Sequence, residues 1–166
     1  MRTCLVAITG GSNDGCLFLG SEGFKNGDFD GMFSFRMGSI AGILTVDTLA
    51  DFLPRKGPLR QRSVPRVLRT GIAYISNVAV RKEDRKKGIA KRLVTKAEAQ
   101  AQSWGCRAIA LHCEADNMAA TRLYQGRGFR LIKVPEQANW PHPKASPGTQ
   151  FQFMMKLLNT SNIAKH

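Results

Sequence analysis

Residues 77–90 (NVAVRKEDRKKGIA) run from the end of an apolar, β-branched stretch through a short basic turn into the start of a helix. The first turn of a helix leaves backbone N–H groups unpaired at the positive end of its dipole. Such a turn is a ready receptor for a phosphate group. Gly88 and Ala90 are small enough to let backbone approach a pyrophosphate closely, and Lys86, Lys87 and Lys91 add positive charge around it. Two other phosphate-binding patterns are excluded. The turn has no Lys-Ser/Thr pair of the GxxxxGK[ST] type, and GxGxxG is absent. Gly10 and Gly11 follow a strand-like run but lead into no helix.

A second segment, residues 117–129 (NMAATRLYQGRGF), offers a helix cap at Asn117, a short helix to about Gln125, and glycines at 126 and 128 to end it. The elements around both segments follow from periodicity. Residues 3–8, 39–48, 72–80, 108–113, 129–134 and 151–158 read as strands. In the last of these, Phe151, Phe153, Met155 and Leu157 share one face. Ile89, Leu93, Val94, Ala97, Ala101 and Trp104 fall at helical spacing over 88–104, closed by Gly105. A helix between two strands implies a right-handed parallel crossover. The flanking strands, joined without helices, are expected to be antiparallel, giving a mixed α/β sheet. Residues 10–38 show neither helical nor strand period and read as an irregular insertion; residues 49–71 read as a Pro-interrupted basic loop.

At 166 residues the chain is long enough for one domain with a hydrophobic core, and 43% apolar content suits a globular protein. No apolar run reaches the ~20 residues of a membrane span, and neither a signal peptide nor a transit peptide is visible. The four cysteines form no CxxC pair and lie at no metal-finger spacing from a histidine, so they read as reduced thiols and no metal is expected. Cys106 and Cys113 lie in segments expected to be buried. The formal charge of +13 draws polyanions. Neither basic cluster, Arg55 to Arg69 or Arg81 to Arg92, contains an aromatic residue for base stacking, which argues against a nucleic-acid-binding module.

Arg85-x-x-Gly88-x-Ala90 after a Val-x-Val strand resembles the R/Q-x-x-G-x-G/A motif of the GNAT superfamily of acyl-CoA N-acyltransferases. The second segment resembles the family's N-x-x-A-x-x-L-Y-x-x-x-G-F block, with Asn117, Ala120, Leu123, Tyr124, Gly128 and Phe129 at every keyed position. The resemblance covers roughly residues 72–134, with 151–158 as a closing strand. It implies a GNAT-type sheet, largely antiparallel, in which the central parallel crossover splays around acetyl-CoA. Val78, Ala79 and Val80 would offer backbone groups to the pantetheine arm. The amides of Lys86, Lys87, Gly88, Ile89, Ala90 and Lys91 would hold the pyrophosphate. Asn117, Met118 and Ala119 would line the cofactor, and Tyr124 would protonate the departing thiolate.

The implied reaction is attack of a primary amine, a protein N-terminus or lysine, on the thioester. Such an amine must lose a proton. His112, whose ordinary pKa of about 6.5 suits that task, is the candidate base, with Glu114 at the same strand end as second choice. Two alternatives stand beside this reading: an acyl-CoA-binding domain without turnover, and the basic nucleic-acid module. Residues from Tyr74 (YISNVAV) and the pair Asp116-Asn117 look most like plant GNAT proteins of the plastid group, implying a chloroplast address. Family domains begin with a strand and two helices, whereas this chain reads as starting at about the second strand, with 10–38 matching no part of the pattern. A shortened form would account for both that gap and the missing transit peptide.

Overall fold

The computed structural model describes residues 1–9, 17–19, 39–48, 71–133, 143 and 147–158. The expectations for 10–16, 20–38, the basic loop at 49–70 and Val134 lie outside them. The chain divides into two compact units, one of Met1–Asp47 and Ile75–Ala99, the other of Thr48–Tyr74 and Gln100–His166.

In the first unit the strand order is β2-β1-β3-β4. β1 (Arg2–Thr9) pairs antiparallel with β2 (Leu17–Leu19) on one side and with β3 (Ser39–Thr48) on the other. β2 lies inside the segment that showed no period, and three residues are too few to show one. The β1–β3 register runs unbroken from Arg2↔Asp47 to Ala7↔Gly42, then skips to Ile8↔Ile40. Ala41 is therefore the extra residue of a β-bulge, and its carbonyl accepts from the amide of Arg81 at 2.8 Å. At the next residue, Gly42, an added Cβ would stand 3.0 Å from the Ala79 carbonyl oxygen and 3.2 Å from side chains of Ile89 and Leu93. A side chain has no room there, because β3 passes close beneath the residues that open the helix.

β4 (Ile72–Val80) and α1 (Ile89–Ser103) contribute to both units. Within α1 the expected stripe is buried: Ile89, Leu93, Val94 and Ala97 join Leu5, Ala7, Leu44, Val46 and Ile75 in the core of the first unit. At about 25 cal/mol per Å² of apolar surface, that burial is what makes this helix form.

The second unit holds the start of β4, then β5 (Ala108–Glu114), β7 (Phe151–Leu157) and β6 (Arg130–Leu131), with α2 (Met118–Gly126) after β5. The Gly71 carbonyl accepts from the amides of Arg107 and Ala108 at 2.9 and 3.3 Å, so β4 and β5 begin at the same end. They are the parallel pair, reached through α1. β5 and β7 are antiparallel along their whole length, from Ala108↔Leu157 to Glu114↔Phe151. This is the mixed, largely antiparallel sheet expected from the pattern.

One strand expectation needs correction. The strand read over 129–134 is short: it pairs with β7 at Arg130↔Met155 and Leu131↔Met154, and the Ile132 amide donates to the Phe153 carbonyl at 3.0 Å. Phe129 instead packs edge-on against Tyr124, and Leu131 and Ile132 are exposed. In β7 the buried residues are Phe153 and Met154, on both faces, while Leu157 is exposed. Phe151, Phe153, Met155 and Leu157 share one face of the strand as expected, and Met154 on the other face is buried as well. Cys106 and Cys113 are buried as expected and Cys4 is exposed. Burial pushes the Cys106 thiol up to about 11 and raises that of Cys113, so both remain protonated.

Candidate functional site

The turn between β4 and α1 belongs to the first unit. β4 does not end as a plain strand: Asn77 takes φ +52, a left-handed conformation that Asn tolerates better than other side chains. Beyond it, Ala79 is exposed and Val78 and Val80 are half-buried. Lys82–Asp84 then form one 3₁₀ turn, with the Asp84 amide donating to the Arg81 carbonyl at 2.9 Å. Lys86 at φ +62 and Gly88 at φ +78 bring the chain into α1, whose first backbone hydrogen bond is Arg92 N–H to the Gly88 carbonyl at 3.0 Å.

The consequence is a run of open donors. The amides of Lys86, Lys87, Gly88, Ile89, Ala90 and Lys91 have no acceptor among the described residues. Alternating left- and right-handed residues ahead of a helix build a concave nest of such amides, which suits an anion. No atom lies within 4 Å of a Cβ built on Gly88, so its role is conformational and the space over it is free. Among the described residues Lys86 and Lys91 make no ion pair, leaving both ammonium groups available.

Lys87 differs from the sequence reading. Its Nζ is 2.9 Å from Asp84 Oδ1, while Arg81 Nε and Nη2 each stand 2.6 Å from Asp84 Oδ2. These partners, Lys87 first, hold the Asp84 carboxyl below the ordinary carboxylate range. The Lys87 amide faces the nest, but its ammonium is committed to a carboxylate.

The remaining candidates lie in the second unit. Asn117 caps α2 as expected, its Oδ1 accepting from the Ala120 amide at 3.0 Å. Asn117, Met118 and Ala119 are exposed on the helix's opening turn. Tyr124, one turn further along, is buried, and its hydroxyl has no hydrogen-bond partner among the described residues. Burial, reinforced by nearby Cys113, pushes Tyr124 up to about 12. Cys113 Sγ in turn lies 3.7 Å from Thr121 Oγ1, which locks β5 to α2 on this face.

His112 precedes Cys113 in β5, and successive strand residues point to opposite faces. Its ring sits between Tyr74 and Phe153, with centroids 5.8 and 5.0 Å away. Its Nδ1 is 2.8 Å from the Tyr74 hydroxyl. Tyr74 packs with Ala110 and Phe153, and burial pushes it up to about 12. The contact is satisfied either by the hydroxyl donating to Nδ1 of an imidazole protonated at Nε2, or by the hydroxyl accepting from Nδ1–H of the other tautomer. Tyr74 is the residue that sequence reasoning quoted but gave no role. Its partner lies 38 positions away, and no local pattern joins them. His112 and Tyr124 are thus carried on opposite faces of β5, and Glu114 is exposed at its end. Among the described residues no group of three or more His, Cys, Asp or Glu is arranged to hold a metal ion.

A parallel strand–helix–strand crossover with an open amide nest ahead of its helix defines an α/β domain suited to a phosphorylated ligand. The chain belongs to the Acetyltransferase (GNAT) family, whose profile matches residues 24–129. That match begins inside the 10–38 segment that the motifs left outside the pattern. The chain is 62% identical over 161 residues to "GCN5-related N-acetyltransferase 4, chloroplastic" of Arabidopsis thaliana, a match covering 97% of this chain and 53% of that protein. It therefore spans about half the length of this relative. Among solved structures, the NatC complex bound to Gag peptide and CoA aligns with TM-score 0.53 at 24% identity, over 76% of this chain and 67% of that one. The yncA protein of Salmonella typhimurium with its cofactor acetyl-CoA aligns at 0.50 and 19%, over 74% and 60%. At these identities the structural likeness concerns the fold.

Proposed function

We propose that this chain transfers an acetyl group from acetyl-CoA to a primary amine, a protein N-terminal α-amine or a lysine ε-amine, by direct attack within a ternary complex. The observation that carries this reading is the run of six open amides from Lys86 to Lys91, flanked by the free ammonium groups of Lys86 and Lys91. Family membership supports the donor, and the name of the 62% identical relative supports nitrogen as acceptor. A net charge of +13 favours acceptor segments with acidic neighbours over lysine-rich ones. The chloroplastic designation of that relative supports a plastid address. No helix among the described residues is long and apolar enough to cross a membrane.

In this reading the nest amides take the pyrophosphate, Val78, Ala79 and Val80 offer backbone groups to the pantetheine arm, and Asn117, Met118 and Ala119 line the cofactor. The thioester supplies an activated acyl carbon. Holding it and the amine together removes much of the barrier, up to ~7–11 kcal/mol. The amine's proton passes to the Tyr74 hydroxyl as that hydroxyl gives its own to Nδ1 of His112. His112 ends as imidazolium, and Tyr74 is never charged. Tyr124, on the other face of β5, donates its hydroxyl proton to the leaving thiolate, and the tyrosinate is reprotonated from water as the His112 imidazolium releases to water the proton taken from the amine. The division of labour suits a reaction whose two proton transfers occur at different atoms, the amine nitrogen and the thioester sulfur.

Calorimetric titration with acetyl-CoA at low and moderate salt tests the donor site, and mass spectrometry of a peptide panel tests the acceptor. Saturable one-to-one binding and a mass gain of one acetyl group on an amine are expected.

 The absence of binding in a folded sample would overturn the reading.

A further inference from the structure

Asp84 is the one acidic side chain buried in the turn between β4 and α1, and both of its oxygens are occupied by cations of that same turn. Arg81 holds Oδ2 from the strand side. Lys87 holds Oδ1 from the helix side. The two contacts tie together the ends of a segment that includes Lys86, a residue with a side chain held at φ +62. Arg81 is itself fixed, through its amide, to the carbonyl of the bulged Ala41 in β3. The open amides begin at Lys86, directly inside this closed segment. The Lys87 side chain remains largely exposed, at 61%, while the Asp84 side chain is 5% exposed, so the carboxylate is the hub and the cations come to it.

We infer that Asp84 is a positioning residue for the cofactor: by clamping Arg81 and Lys87 it holds the amides of Lys86 to Lys91 in the arrangement that receives a pyrophosphate. The inference rests on the reading of that turn as the pyrophosphate site. It has a counterintuitive sign. Asp84 places a negative charge beside a site for a polyanion, so a simple field argument says that its removal tightens cofactor binding. If its contribution is preorganisation, removal loosens binding instead, because the nest must then be ordered at the moment of binding.

The test is calorimetric titration of the purified chain with acetyl-CoA, together with steady-state turnover, for wild type, Asp84→Asn and Lys87→Met at two salt concentrations. Asp84→Asn should weaken acetyl-CoA binding roughly tenfold and raise KM in parallel, with kcat at saturating acetyl-CoA within about twofold of wild type. Equal or tighter binding overturns the inference. Lys87→Met breaks one arm of the clamp at an exposed side chain and so stays informative should Asp84→Asn fail to fold. It should weaken binding by a smaller factor while keeping the wild-type salt dependence. Unchanged affinity, or a flatter salt dependence that marks Lys87 as a direct phosphate contact, also overturns the inference. A folded wild type that ignores acetyl-CoA would sink the pyrophosphate reading itself, a result distinct from a wild type that binds and an Asp84→Asn variant that binds equally well.

Discussion

The Tyr74 hydroxyl stands 2.8 Å from Nδ1 of His112, 38 positions further along the chain. With the hydroxyl as donor, a proton reaches Nδ1 by way of the Tyr74 oxygen. The two residues should behave as one unit. Tyr74→Phe and His112→Ala should each lower turnover by ~10²-fold or more near neutral pH, with acetyl-CoA affinity nearly unchanged. The double variant should be little worse than either single one, as measured by steady-state kinetics. Additive losses would separate the two residues.

Tyr124→Phe removes the hydroxyl and keeps the ring that packs edge-on against Phe129, 5.7 Å away. Stability should hold and turnover should fall by roughly 10- to 100-fold, with acetyl-CoA binding unaltered by calorimetry. Equal turnover would remove Tyr124 from the proton path.

Tyr74 and Tyr124 are both raised to about 12 by burial, from an ordinary value near 10. The folded state therefore holds their protons more tightly than the unfolded chain does. Their contribution is fully present below about pH 10 and is lost as pH rises from there through about 12. Thermal unfolding should show a falling Tm across that window, and Tyr124→Phe should make the fall shallower.

Gly88→Glu places a negative side chain in the free space above the nest and forces a side-chain-bearing residue to φ +78. The strain costs ~1–2 kcal/mol of stability, and acetyl-CoA affinity should drop by more than tenfold. Wild-type affinity in this variant would refute the placement of the pyrophosphate. Gly42→Ala acts from beneath. Its methyl group would meet the Ala79 carbonyl at 3.0 Å, and the crowding should lower stability by ~1–3 kcal/mol in chemical denaturation.

Much of this arrangement is written locally. The apolar spacing of Ile89, Leu93, Val94 and Ala97 announces α1, and Asn117 announces the start of α2, because a helix buries a stripe and begins with a cap within a few residues of chain. The open amides follow from the same local rule. Three features needed the fold. Tyr74 acquires its meaning from His112, 38 positions later. Asp84 stands among cations in the sequence, and charge counting does not reveal which of them turn inward to it. The apolar run at 129–134 suggested a full strand, yet β6 covers Arg130 and Leu131, since apolar character marks a capacity for burial and cannot supply a partner.

The bulge at Ala41 gives the outer hairpin an uneven tolerance of length. Between Thr9 and Ser39, outside Leu17–Leu19, an added or lost residue leaves the pairing of β1 with β3 in register. Between Gly42 and Asp47 the same change would slip the pairing with Ala7 through Arg2 and turn Leu44 and Val46 out of the core. Related chains should therefore differ in length on the first side of Ala41 and keep the same count on the second.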